Sequence, residues 1–197
     1  MFARRTLLLA GTLAAGVLVT GCGTSNEPKG TVHGGAVTLL PTTTDVKAIF
    51  RPIAPSNRDA QALSTTTLNP SFGSDTPAAM KLLEGAAEFD AVGASGRSLY
   101  AHIFVFKTLA GAQSLASTFL ASNHLRGSIS VPSGAPGEQQ QASTQTYGAG
   151  DVSYRYVFRE QNVLSYIELD GPGHDSSIAD AVKIASAEDR RIRAGLT

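Results

Sequence analysis

The chain of 197 residues has no tryptophan and a single cysteine, and the second scarcity excludes whole classes of protein. With Cys22 as the only thiol, an internal disulfide framework is excluded, and so is a metal site made of several cysteines. The fold must therefore depend on its hydrophobic core. Residues 22–197 number 176, which is enough for one domain with a substantial core.

Charged residues are few and balanced, with 16 Lys and Arg against 16 Asp and Glu. Loss of a leader containing Arg4 and Arg5 would leave 14 basic residues against 16 acidic ones. Nucleic-acid-binding proteins concentrate positive charge, so this composition argues against a nucleic-acid partner. The chain also lacks the polybasic cluster that would hold a protein on an anionic membrane.

The longest apolar stretch runs from Leu7 to Thr20, 14 residues, and follows Arg4 and Arg5. As a helix it would be about 21 Å long, which is short of the roughly 30 Å hydrocarbon core of a bilayer. A basic head, a short apolar run and small residues at the end are typical of a secretory signal peptide. Export by the general route and by the twin-arginine route both fit the paired arginines.

The leader ends in Val19-Thr20-Gly21-Cys22, which resembles the lipobox of bacterial lipoproteins, and the Ala- and Gly-rich composition is of the actinobacterial type. The resemblance implies that residues 1–21 are a signal peptide and that Cys22 is lipidated with diacylglycerol and an acyl chain such as palmitate. Two or more chains give stable anchoring where one does not. The protein would then be a lipoprotein of the cell membrane facing the extracytoplasmic side. An ordinary secreted protein is the alternative.

Residues 22–35 are polar and rich in helix and strand breakers, which indicates a flexible tether that carries the lipid. We expect residues 36–197 to form one extracytoplasmic domain. Between Ala36 and Gly73 the chain is rich in Thr, Pro and Ser, and at most short strands are expected there. Thr76-Pro77 can start a helix, and the good helix formers that follow predict that it reaches Ala87.

The remaining elements follow from hydrophobic periodicity. Leu99 to Phe106 alternates with two mostly apolar faces and predicts a central strand, and Thr108 can cap the helix that follows it. Ser153–Glu160 and Val163–Asp170 predict an antiparallel hairpin, because only two residues separate them. A last helix is expected from about Ser176 to Arg193. Between these units, residues 131–150 show no clear periodicity, and a stretch of that length is expected to bind a partner or to lack order.

Helices separated by strands, with a hairpin, favour an α+β fold in which helices pack on one face of an antiparallel or mixed sheet. The tract Tyr154–Asp170 and the helix end Ala187–Ile192 are similar to uncharacterised extracytoplasmic domains of actinobacterial lipoproteins. That resemblance covers less than a quarter of the chain and implies no active-site residues.

No motif in the chain indicates catalysis, a metal or a cofactor. The four histidines lack metal-site spacing, and the Gly-x-Ser-x-Gly pattern of serine hydrolases is absent. His174-Asp175 beside Asp170 fits either an acid–base pair or a turn before the last helix. Glu84 and Glu88 at helical spacing fit a solvated helix face better than a pair of catalytic carboxylates.

Aromatic residues are the most suggestive feature. On neighbouring strands they would either line an apolar pocket or fill the core between sheet and helices. The lack of tryptophan favours the core, because other large side chains must then fill it. The candidate binding residues are Tyr100, Phe104, Tyr154, Tyr156 and His174.

Together these features favour a membrane-anchored, non-enzymatic binding or sensing module of the cell envelope. Its partners would be the membrane, through the lipid on Cys22, and an unknown envelope protein or small apolar ligand. A cell-envelope hydrolase with an unrecognised active site and an envelope assembly factor are the alternatives.

Overall fold

A seven-stranded sheet forms the centre of the protein, with all neighbouring strands antiparallel, in the order β1-β2-β3-β7-β6-β5-β4. The computed structural model describes residues 30–49, 58–62, 81–93, 96–121, 127–148, 150–173 and 175–197. The strands are β1 Arg58–Ala62, β2 Leu83–Val92, β3 Ser98–Phe106, β4 Ser128–Ile129, β5 Gln139–Thr146, β6 Asp151–Glu160 and β7 Val163–Pro172. The helices are α1 Ala36–Leu39, α2 Thr43–Lys47, α3 Leu109–Ala121 and α4 Ile178–Ala194. The predicted α+β class and antiparallel sheet are confirmed.

The strand and hairpin predictions from periodicity are confirmed. β3 lies between β2 and β7, so both of its edges are paired and it is the central strand that was predicted. The β6–β7 hairpin closes through Gln161 and Asn162, with Glu160 opposite Val163. Gln161 adopts a φ of 50°, which is the left-handed conformation that such two-residue turns require.

Helices cover both faces of the sheet, and the prediction that they pack on one face is wrong. α4 packs on the face formed by Leu99, Ala101 and their neighbours, together with α1 and α2. α3 packs on the opposite face, over Phe104 and Phe106. Because β3 is apolar on both sides, the hydrophobic effect requires a cover on each.

Thr108 caps α3 as predicted, since its Oγ1 accepts a hydrogen bond from Gly111 N at 3.2 Å. Ser177 caps α4 in the same way, through Asp180 N at 3.3 Å. Both helices therefore begin within two residues of the predicted position, where a side-chain oxygen satisfies one unpaired N–H group.

The helix predicted to reach Ala87 is wrong over its second half, where the chain forms β2. Residues 76–80, its predicted start, lie outside the described residues. Ala, Leu and Glu favour helix only weakly, and pairing with both β1 and β3 outweighs that preference. Glu88 consequently lies on a sheet face and not on the solvated helix face expected from its spacing to Glu84.

Two further corrections concern the segments taken as irregular. The region between Ala36 and Gly73, where at most short strands were expected, contains the short strand β1 but also the short helices α1 and α2, which were not predicted. A capping box between Thr42 and Asp45 starts α2. Residues 139–146 form β5, because pairing with β6 supplies the backbone hydrogen bonds of a strand. A glutamine-rich sequence does not predict that pairing.

The fold begins before the predicted domain boundary. Val32 is only 4% exposed, belongs to the α4-side core and pairs with Leu196 as an isolated antiparallel bridge. The side-chain amide of Asn162 holds both the N–H and the C=O of Val32, each at 2.8 Å. Residues 30–35 therefore pack with the domain and do not belong to the predicted tether, whose residues 22–29 lie outside the described residues.

Candidate functional site

A band of polar and aromatic side chains crosses four strands on the α3 face of the sheet, beyond the half that α3 covers. Register brings the residues together, because β2, β3, β7 and β6 are consecutive neighbours in the sheet. We call this band the polar strip; its members are Glu88, Asp90, Tyr100, His102, Ser153, Arg155, Tyr166, Glu168 and Asp170.

Glu168 is the centre of the polar strip. Its Oε1 accepts hydrogen bonds from Ser153 Oγ and Arg155 Nε, both at 2.7 Å, and its Oε2 accepts one from the Tyr166 hydroxyl. Burial alone would raise the pKa of this carboxyl, but the three hydrogen bonds and the charge of Arg155 hold the pKa below its ordinary value. Glu168 is therefore ionised and fixed in place.

Arg155 extends this arrangement towards β5. Its Nη1 donates to Gln145 Oε1 at 3.0 Å, and its Nη2 donates to the Tyr147 hydroxyl at 2.7 Å. Burial opposes its charge, but the hydrogen bond and negative charge of Glu168 raise the pKa of Arg155 above its ordinary value. Because the guanidinium is planar and bound on three sides, its orientation is fixed.

His102 occupies the other half of the polar strip. Its Nε2 lies 3.5 Å from Glu88 Oε2, and its ring stacks on that of Tyr166 with centroids 6.1 Å apart and planes at 22°. Burial lowers the pKa of His102 below its usual value, although Glu88 acts in the opposite direction. The imidazole is therefore neutral at pH 7 and presents both a donor and an acceptor nitrogen.

Tyr100 is the most accessible aromatic residue of the polar strip, with 39% exposure. Asp90 stands directly opposite it on β2 and Glu168 directly opposite it on β7. Side chains opposite one another on antiparallel strands are neighbours, with Cβ atoms about 5 Å apart. A ligand that stacks on Tyr100 would therefore contact a carboxylate on either side.

The structure separates the predicted binding residues. Tyr100 and Phe104 lie on the α3 face, whereas Tyr154 and Tyr156 lie on the α4 face, so these residues do not line one common pocket, which was the less favoured of the two alternatives from the sequence. Phe104 and Tyr156 are 1% and 0% exposed and belong to the core. The register of β6 against β7 causes this, since Tyr156 stands opposite Ile167. His174 and Cys22 lie outside the described residues.

Sequence reasoning assigned Glu88 to a solvated helix face and did not select Arg155 or Glu168 as site residues. The alternation Glu88-Phe89-Asp90-Ala91 is a period-two signal that would have placed both acids on one strand face. The pairing of Arg155 with Glu168 follows from the predicted hairpin, in which these residues are directly opposite.

A separate cavity of about 340 Å³ lies at the other side of the molecule, between residues 32–39 and the end of α4. It is lined by Val32, His33, Gly35, Leu39, Arg191 and Gly195, among others. His33 Nδ1 lies 3.5 Å from Glu84 Oε2. The polar strip and this cavity share no residue.

In the described part of the chain, no group of three His, Cys, Asp or Glu side chains is placed to hold a metal ion. None of the helices found there is long and apolar enough to span a bilayer.

Comparisons with known proteins show the fold. No protein-family model matches the chain, and no curated protein matches it. Among solved structures, the extracellular domain of PknH from Mycobacterium tuberculosis is similar, with a TM-score of 0.57 and 12% sequence identity. The match covers 83% of this chain and 97% of that domain. The α+β fold is thus one that is used by an extracellular domain.

Proposed function

We propose that this protein is a membrane-anchored binding or sensing module of the cell envelope and that the polar strip is its recognition surface. The observation that supports the proposal is the position of half-exposed Tyr100 beside fixed charged groups. Glu168 and Arg155 are held by hydrogen bonds from other side chains of the protein, so binding would cost little side-chain entropy. Tyrosine and arginine are also the residues that contribute most at binding surfaces.

Two independent observations support this proposed location. The fold resembles an extracellular domain, and the sequence before it resembles a lipoprotein signal. Seven residues lie between Cys22 and Gly30, where the described fold begins, so the eight Cα–Cα steps from one to the other span at most about 29 Å. A lipid on Cys22 would therefore keep the domain within that distance of the bilayer.

Replacing Cys22 with alanine is expected to abolish fatty-acid labelling and to leave the signal peptide uncleaved. The thiol is the only group in the chain that takes a diacylglycerol by thioether formation, since no second cysteine exists. The measurement is metabolic labelling with an alkyne fatty acid, together with the mass of the mature chain. Gly23→Ala is the matched control and should remain labelled. A wild-type chain that is cleaved elsewhere and carries no lipid would contradict the anchor.

Replacing Tyr100 with alanine is expected to weaken ligand binding about tenfold or more, because truncation of a central tyrosine typically costs over 1 kcal/mol. The full-length protein would be isolated from membranes, co-purifying proteins and small molecules identified by mass spectrometry, and their affinities measured by titration. Leu82→Ala is the control, since Leu82 is 40% exposed and lies outside the polar strip. Weakening by Leu82→Ala with unchanged affinity in Tyr100→Ala would exclude the polar strip as the recognition surface.

A hydrolase is the second candidate, and the pair His102–Glu88 is the observation that favours it. A neutral imidazole next to a carboxylate is the arrangement of a general base and the group that orients it. Hydrolysis of an envelope substrate that is lost in His102→Gln, with Tyr100→Ala still active, would favour this candidate over simple binding.

A further inference from the structure

A carboxyl group that forms no ion pair with any basic side chain in the described ranges lies between α4 and the sheet. Glu188 is 0% exposed, and its Oε2 accepts a hydrogen bond from Ser165 Oγ of β7 at 2.5 Å. Its other oxygen, Oε1, has no hydrogen-bond partner among the residues that the structure describes. An ionised carboxylate in such a place is costly, so this environment favours the protonated form.

The nearest compensating charge is already engaged elsewhere. Arg191 follows Glu188 by three residues, which places both on the same side of α4. Its Nη2 binds Asp45 Oδ2 of α2 at 2.5 Å, while its buried Nη1 has no hydrogen-bond partner in the described part of the chain. Arg191 therefore stands between two acids and is bound to one of them.

The other charged and titratable groups described on this side of α4 either contact partners other than Glu188 or are exposed. Asp189 and Glu160 both contact Arg193, at 2.9 and 3.1 Å. Tyr156 of β6 hydrogen-bonds the carbonyl of Pro136. Helix α1 contributes no charged residue, and Lys47 of α2 is exposed. Of the charged residues that surround it, Arg191 and Asp45 are the ones that act electrostatically on Glu188.

We infer that Glu188, Arg191 and Asp45 form a proton-controlled latch between α4 and α2. While Glu188 is protonated, Arg191 stays on Asp45 and holds α2 against α4. When Glu188 releases its proton to solvent, its carboxylate attracts Nη1 of Arg191, and the contact with Asp45 is broken. Helix α2 then depends on Val46 and on its own cap for its position.

The pKa values of Glu188 and Asp45 support the latch. Burial raises the pKa of Glu188 to about 8, while Ser165 and Arg191 act in the opposite direction and Asp45 adds to the rise. Burial also acts to raise the pKa of Asp45, but hydrogen bonds from Thr42 and Arg191 hold it below its ordinary value. Asp45 is thus ionised throughout the range in which Glu188 changes state. The latch also borders the cavity, because Arg191 forms part of its wall.

The test is an NMR pH titration of the full-length protein that follows the Glu188 carboxyl carbon and the methyl groups of Val46, which is 0% exposed on α2. In the wild type both signals should change together with a midpoint near pH 8. The Val46 transition should disappear in Glu188→Gln and in Glu188→Met. Two variants are used because methionine keeps the fold if the added amide disturbs it. Glu84→Gln, a surface change, should retain the transition.

The Asp45→Asn variant distinguishes the proposed latch from a buried carboxyl group that titrates without any effect on Arg191. With Asp45 neutral, Arg191 is released towards Glu188, so the Glu188 midpoint should fall by about one pH unit. The Val46 transition should lose its amplitude, because the contact that it reports is already broken. A Val46 transition that persists in Glu188→Gln, or an unchanged Glu188 midpoint in Asp45→Asn, would overturn the latch.

Discussion

Replacing Asn162 with alanine is expected to lower the free energy of unfolding by about 2–4 kcal/mol. Asn162 is 0% exposed, and its amide accepts from Val32 N at 2.8 Å and donates to Val32 O at 2.8 Å and Phe106 O at 2.6 Å. Alanine leaves these three backbone groups buried and unpaired. An unpaired buried polar group destabilises the folded state by more than a typical hydrogen bond stabilises it. Asn162→Asp should be worse, since a carboxylate would face two carbonyl oxygens.

Urea denaturation of the full-length protein measures this change, with Gln113→Ala as the control. Gln113 is an exposed amide on α3, so its removal should alter stability by no more than about 0.5 kcal/mol. Amide exchange at Val32 gives a local readout and should accelerate in Asn162→Ala. Equal stabilities of the Asn162 and Gln113 variants would show that the amide bonds do not contribute to folding.

Stability is expected to fall as pH rises from about 4.5 to about 8, because of Glu188. Its ordinary pKa of 4.5 is raised to about 8 in the folded protein by burial, so between these values the folded state binds one more proton than the unfolded state. The contribution is fully present below the unfolded pKa and is lost as pH rises through the folded one. Each pH unit of this window is worth about 1.4 kcal/mol, and the total reaches up to about 5 kcal/mol.

The difference between wild type and Glu188→Gln isolates this contribution. Glu168 and Asp45 have lowered pKa values and act in the opposite sense, since their stabilisation is lost as pH falls. In the folded protein both pKa values lie below their ordinary values of 4.5 and 3.8, so these two effects occur at more acidic pH than the range compared. Thermal unfolding midpoints across pH 5–9 should therefore show a steeper decline for the wild type. Parallel curves for the two proteins would mean that Glu188 is not buried as described.

Local pattern was sufficient for some elements and not for others. β3 and the β6–β7 hairpin were predictable because their alternation and two-residue turn are encoded within a few residues. β2 and β5 were not, since helix formers and glutamines enter a strand only when a neighbouring strand supplies hydrogen bonds. The second helical cover was equally hidden, because both faces of β3 are apolar but periodicity does not say which helix covers which face.

The candidate site shows the same division. Tyr100 was selected from the sequence because an aromatic residue on a strand is readily recognised. Glu168 could not be assigned, because it pairs with Tyr100 across 67 intervening residues and that register is a tertiary property. Asp90 could not be assigned because the first half of β2 was predicted as helix. Tyr154 could not be placed for the same reason. The hairpin determines how β6 aligns with β7, but it does not determine how β7 aligns with β3.

The hydrogen bonds that Asn162 makes to Val32 and Phe106 also determine how a mechanical load is transmitted into the protein. A pull on the chain at Gly30 is resisted first by the paired backbones of Thr31 and Thr197, whose two hydrogen bonds are each 3.3 Å. It then reaches the Asn162 amide, which ties Val32 to the β6–β7 turn and to the end of β3. These strands lie inside the sheet with a neighbour on each side. Tension from a membrane tether would thus be delivered to the interior of the sheet, where a strand cannot be stripped away without breaking two ladders at once.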